Sequence, residues 1–207
     1  MTSITRAVNV ILTKMSIPRV IRSGELNFYC PSFTEMWRAE TLFIKEPETI
    51  AWIDNFSPHS TLWDFGANVG TYTLYAAKNG HFVVAIEPSS REYEILGKNI
   101  ALNPGLWIDA KKVFAGINTD HSEYPKPDYI KIDTDGHDIK ILMGLEQSGV
   151  LKTVKEILIE VCPGSINTIT EIMMRNDFAL HSKGHSKMLD GTKYENYDNA
   201  IFRKRQV

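Results

Sequence analysis

A chain of 207 residues with 43% hydrophobic and 23% charged residues is long enough to bury a full core without disulfides or metals, and its composition excludes a disordered or fibrous protein. A formal net charge of −2 weighs against a nucleic-acid binder that depends on broad phosphate neutralisation. The two cysteines, Cys30 and Cys162, are too few for a disulfide scaffold and lack zinc-type spacing, so both read as reduced thiols of a cytoplasmic protein.

The chain opens with MTSITRAVNVILTKM, whose apolar run is broken by Asn9 and Lys14; this opposes a cleaved leader, and no stretch is long enough to span a bilayer. Residues 5 to 15 read as a short amphipathic helix that packs on the domain or on a second subunit, which leaves monomer and homodimer both open. Segments 27 to 30 and 41 to 44 read as short strands. Residues 46 to 56 read as a helix with Ile50, Trp52, Ile53 and Phe56 near one face. Residues 1 to 58 are thus expected to form an extension that caps the cofactor end of a sheet.

From Leu62 onward, strands at 61 to 65, 82 to 87, 110 to 115, 128 to 133 and 156 to 161 alternate with helices at 69 to 79, 90 to 102, 138 to 147 and 166 to 176, the pattern of a parallel sheet with helices on its faces. After Asn176, two strand-like segments at 178 to 184 and 199 to 204 are separated only by a Gly- and polar-rich loop, so they should pair antiparallel. Residues 59 to 207 therefore predict one α/β unit with a Rossmann-like class I methyltransferase layout: a mostly parallel seven-stranded sheet closed by an antiparallel C-terminal pair. A dinucleotide dehydrogenase would continue with another βαβ half.

Three constellations carry chemistry. In LWDFGANVGTYTLYAA, residues 62 to 77, a strand leads through Asp64 into a turn permitted by Gly66 and Gly70, and a helix follows at once. The spacing Gly66-Ala67-Asn68-Val69-Gly70 misses the G-x-G-x-x-G dinucleotide fingerprint. Asp64 would repel a pyrophosphate but attract the ammonium and sulfonium of S-adenosylmethionine. Glu87 ends the next strand, 17 positions after Gly70, where a carboxylate can accept both hydroxyls of a ribose; Pro88 fixes the chain as it leaves. Finally, Tyr129, Ile130 and Ile132 deliver Asp133 and Asp135 to the carboxyl edge of the sheet, with Gly136 and His137 opening the next helix, and that edge is where open α/β sheets bind ligands. Taken singly, Asp135 reads equally as an acid favoured by the helix dipole and His137 as a surface residue.

The run DFGANVGTYTLYAA, then IEPSS, then YIKIDTDGHDIKILMG and ILIEV resembles the FkbM-type methyltransferases, whose third motif is similar to K-I-D-x-[ED]-G-H-[ED]; the likeness extends from about Arg38 to Val161. It implies S-adenosylmethionine-dependent transfer to a hydroxyl of a sugar, glycan or small metabolite, with S-adenosylhomocysteine as product. It also implies that Asp64, Gly66, Ala67, Asn68 and Gly70 surround the amino-acid end of the cofactor, that Glu87 and Pro88 hold its ribose, and that Ala115, Gly116 and Ile117 lie near the adenine. Asp133, Asp135 and His137 would face the methyl group or the acceptor, with Asp135 standing where Glu is more frequent. His137 is the first candidate base, because an imidazole titrates near neutral pH, with Asp133 orienting it or taking the proton itself. An alternative gathers Mg²⁺ on Asp133, Asp135 and Glu160. Three rival readings stand beside this one: an NAD-binding protein, a non-catalytic module, and an RNA or DNA methyltransferase using Lys111, Lys112, Lys183, Lys187, Arg203, Lys204 and Arg205, the last disfavoured by the acidic net charge.

Overall fold

The computed structural model describes residues 18–192 and 194–205; the helix expected at 5 to 15 lies outside them. A hairpin of β1 (Arg19–Ser23) and β2 (Leu26–Cys30) is followed by α1 (Phe33–Glu40) and α2 (Pro47–Asp54). Then come β3 (Thr61–Phe65), α3 (Thr71–Lys78), β4 (Phe82–Ile86), α4 (Ser90–Ala101), β5 (Ile108–Lys111), β6 (Tyr129–Ile132), α5 (Asp138–Gln147), β7 (Glu156–Val161), α6 (Ile166–Arg175), β8 (Phe178–Gly184) and β9 (Asp198–Lys204). The seven-stranded sheet has the order β5-β4-β3-β6-β7-β9-β8. The first five strands pair in parallel, and β9 inserts between β7 and β8, antiparallel to both. The expected antiparallel C-terminal pair is present, with β9 as the reversed strand.

Strands buried on both faces need apolar residues at successive positions, and β3, β4, β6 and β7 supply them. Alternation sends Trp63, Phe65, Val84, Ile86, Ile130 and Ile132 to the face covered by α5 and α6. Leu62, Val83, Ala85, Tyr129 and Leu158 face the other way, against α3, α4 and the N-terminal elements. Residues 18 to 58 share this second core through Leu26, Phe28, Trp52 and Ile53. Asn99 of α4 ties the two parts together: its Oδ1 accepts from the Tyr29 N–H at 2.6 Å and its Nδ2 donates to the Val69 carbonyl at 2.7 Å.

Two expected elements shift. Residues 41 to 44 form turns instead of a strand, because the Thr41 N–H closes α1 on the Trp37 and Ala39 carbonyls. The third parallel strand lies at Ile108–Lys111 rather than 110 to 115; its last register pair is Ile86 with Lys111, after which the chain leaves the sheet. β1 and α1 were not anticipated. Among the described residues no helix is long and apolar enough to cross a membrane.

Gly144 in α5 packs against the loop after β5: a Cβ there would lie 2.6 Å from the Gly116 carbonyl oxygen and 3.0 Å from that of Ile117. Backbone cannot retreat as a flexible side chain can, so Gly144→Ala should cost about 1–3 kcal/mol of stability, read as a lower urea midpoint at an unchanged denaturant slope.

Candidate cofactor and acceptor site

The site grows from strand register. Asp64 on β3 is the direct parallel partner of Lys131 on β6. Both side chains project to the α3 side of the sheet, and alternation puts Asp133 and Glu160 on that side too. The Lys131 ammonium lies 2.9 Å from Asp133 Oδ2 and 3.8 Å from Asp64 Oδ1, with Lys131 and Asp64 both buried. Burial opposes the charge of Lys131, but the fields of Asp133 and Asp64 hold its pKa above the usual lysine value. Burial also acts against Asp133, where Lys131 and then Lys45 prevail and lower the pKa. Asp64 is the opposite case: its burial outweighs the more distant lysine and the Thr73 hydroxyl donating to Oδ2 at 2.5 Å, so its pKa is raised. Its Oδ1 has no hydrogen-bond partner.

Above this cluster the chain turns through Gly66 at φ +78, where a Cβ would sit 1.8 Å from the Asp133 carbonyl oxygen. Only glycine permits that approach. Gly70, at φ +88, starts α3 against Leu96. Asn68 and Asp135 hold left-handed backbones at φ +51 and +50, a cost of the kind that clusters at functional sites. Asn68 is fixed by its N–H, which donates to Glu87 Oε2 at 2.8 Å; the other Glu87 oxygen accepts from the Ser89 N–H at 2.8 Å. Burial nonetheless raises the Glu87 pKa, against those two N–H groups. On the other side, Asp138 accepts from the Thr134 N–H and hydroxyl, both at 2.9 Å, and from the Gly136 N–H at 3.1 Å, which pins the 134–137 turn.

Two cavities meet on this rim. The larger, of about 560 Å³, is bounded by Asp64, Ala67, Tyr72, Lys131 and Glu160 below and by α1 and the 186–199 segment above. The smaller, of about 350 Å³, is lined by Phe65, Glu87, Pro88, Phe114, Ala115, His137 and Ile141. Gly66, Asn68, Asp133 and Asp135 border both.

The expected residues are therefore gathered at the carboxyl edge, with three exceptions of placement. Gly70 lines neither cavity and packs against Leu96 and Leu74. Gly116 and Ile117 do not line either cavity and pack instead on α5. His137, expected to face the acceptor, lies in the smaller cavity with its ring edge-on to Phe114 at 4.8 Å, and does not line the larger one. Among the described residues no group of three His, Cys, Asp or Glu side chains can hold a metal ion. Asp133, Asp135 and Glu160, the three acids of the magnesium alternative, all line the larger cavity, with the Lys131 ammonium 2.9 Å from Asp133. Lys131, Arg38, Tyr72 and Asp138 were missed as site residues. A lysine in the middle of the apolar strand YIKI was the available signal for the first.

Lys131→Met should cost ~3–5 kcal/mol near neutral pH, because it strands the buried carboxylate of Asp64 and breaks the ion pair of the part-exposed Asp133. The deficit should shrink on acidification. In the variant, burial without a cation raises both acids, which regain neutrality by binding protons as pH falls from about 7, whereas in the parent protein the lowered pKa of Asp133 keeps its stabilising charge in place until below the ordinary carboxylate range. Urea titrations at about pH 7 and about pH 5 check the convergence.

Comparison with known proteins agrees with this architecture. No protein-family profile matches the chain. It is 22% identical to the hexuronic acid methyltransferase AglP of Haloferax volcanii, over 68% of this chain and 74% of the relative. The magnesium protoporphyrin IX methyltransferase ChlM of Synechocystis PCC 6803, solved with bound SAM, superposes with a TM-score of 0.61 at 16% identity, covering 83% of this chain and 82% of that one. The tRNA m1G37 methyltransferase of M. jannaschii gives 0.61 at 16%, covering 92% of this chain and 57% of that one. The chain has the Rossmann-like class I methyltransferase fold.

Proposed function

We propose that this protein is an S-adenosylmethionine-dependent methyltransferase that methylates a hydroxyl of a sugar or glycan acceptor. The observation that carries the reading is the buried, unpartnered Oδ1 of Asp64 beneath the Gly66 cradle. A buried carboxylate oxygen with no hydrogen bond and its nearest cation 3.8 Å away is costly, and the cost is offset when an ammonium docks against it. Glu87, anchored by two backbone N–H groups, keeps lone pairs for the two ribose hydroxyls. Pro88, Ala115, Ile141, Phe114 and His137 supply flat and apolar surface for the adenine. When bound, S-adenosylmethionine supplies a methyl group on a positively charged sulfur. The chain itself orients the acceptor and excludes water, contributions that reach about 7–11 kcal/mol in favourable systems.

The larger cavity fits an acceptor with an acidic group. Arg38 lines it and makes no hydrogen bond or ion pair among the described residues, although its charge is felt at Asp133. Trp37, Tyr72 and Tyr194 offer aromatic surface nearby. A relative named as a hexuronic acid methyltransferase supports the same acceptor class. An RNA acceptor is less favoured, since the net charge is −2 and phosphate binding needs cations in number.

Calorimetric titration should show S-adenosylhomocysteine binding, no NADH binding, and a loss of about tenfold to a hundredfold for Asp64→Ala and for Glu87→Ala separately. Undetectable S-adenosylhomocysteine binding would sink the reading. With the site saturated by S-adenosylhomocysteine, D-glucuronate should bind about tenfold tighter than D-glucose, and Arg38→Leu should abolish the preference.

A further inference from the structure

The methyltransferase reading leaves the acceptor's proton with poor destinations, since His137 lies in the smaller cavity and Asp133 is ion-paired to Lys131 at 2.9 Å, which lowers its pKa. Across the rim stands a carboxyl group that neither the fold nor the cofactor contacts explain. Glu160, one residue before the end of β7, pairs with Asn199 of β9 and faces the same side as Leu158 and, one strand over, Asp133. It lines the larger cavity. Its Oε2 is buried and has no hydrogen-bond partner. A structural carboxylate in such a position would have recruited a donor.

We propose that Glu160 is the proton acceptor for the incoming hydroxyl, placed in the larger cavity with one carboxylate oxygen held open for it. In the balanced step the acceptor's O–H bond breaks as its O–CH₃ bond forms. The proton goes to Glu160, and the electron pair of the breaking S–CH₃ bond stays on sulfur. The proposal rests on the methyltransferase reading.

The charges around Glu160 tell when it can act. Burial pushes its carboxyl up to about 8, aided by Asp133, Asp138 and Asp135 and opposed by Lys131. Tyr197 and Cys162 face the same charge, each raised in part by it. In the empty site at neutral pH the group therefore keeps its proton and cannot serve as a base. A positive sulfonium at the shared rim lowers that pKa. Loading the methyl donor thus frees the base, and the product, whose sulfur is neutral, lets it reprotonate.

This predicts a proton signal that needs no acceptor. Titrating the protein at about pH 7.5 with S-adenosylmethionine and with S-adenosylhomocysteine, each in two buffers of different ionisation enthalpy, counts the protons released. S-adenosylmethionine should release up to about three-quarters of a proton more than S-adenosylhomocysteine, the share that a group of pKa about 8 holds at that pH. Both ligands carry the ammonium that faces Asp64, so any proton from Asp64 cancels in the difference. Glu160→Gln should bind both ligands with the difference gone. An undiminished difference in Glu160→Gln, or none in the parent protein, overturns the proposal while leaving the methyltransferase reading intact. Failure of both ligands to bind overturns both.

Discussion

The buried ammonium of Lys131 is the constraint on which the rest of the site depends. It stands in the centre of a parallel sheet, at a position where β6 could have carried another branched apolar residue, and it is tolerated because two carboxylates from adjacent strands surround it. The balance is uneven: Asp133, at 2.9 Å, takes the ion pair, while Asp64, at 3.8 Å, is left partly uncompensated. Buried pairs of this kind add little net stability compared with hydrophobic packing. What the arrangement does produce is positional: one lysine shared between two acids leaves a carboxylate oxygen without a hydrogen bond below the glycine turn.

The uneven balance extends outward from strand to turn. Asp133 contributes its carboxylate to Lys131 and its carbonyl oxygen to the tight passage of Gly66, so the third motif and the first are locked to each other by a single residue. Glu87 performs the equivalent task from the other side through the Asn68 N–H. The left-handed backbones of Asn68 and Asp135 are held in place by these contacts and by the Asp138 cap. Strain of this sort persists only where the surroundings over-determine it.

Much of this architecture was legible in the sequence because parallel strands announce themselves as short apolar runs. LWDF and EILIEV gave β3 and β7 at the observed bounds, and the period-3.6 pattern gave α5. The end of β5 was misplaced because VFA, residues 113 to 115, continues the apolar run while serving as a wall of the smaller cavity instead of a strand. TLFI at 41 to 44 misled for a related reason: Phe43 and Ile44 are exposed, at 43% and 62%, and belong to turns. α1 did have a local signal, Ser32 three residues before Glu35, with the Ser32 hydroxyl capping the Thr34 N–H. The acids of the site were visible from their places at strand ends. Their partnerships were not, because Asn99 reaches both Tyr29 and Val69 across stretches of chain that no local pattern spans.

The position of His137 shows why motif adjacency is a poor guide to which cavity a side chain enters. His137 and Asp133 are separated by one tight turn, yet Asp133 borders both cavities while His137 lines only the smaller one. The walls differ correspondingly in origin. The smaller cavity is built from the core βα loops, whereas the larger is roofed by α1 and by the segment between β8 and β9. Changes in the roof can therefore alter what the larger cavity admits without disturbing Glu87 or the apolar surface beside it. Lys131, Asp133 and Glu160 all line the larger cavity, and the burial of Lys131 strengthens its electrostatic interaction with the two acids.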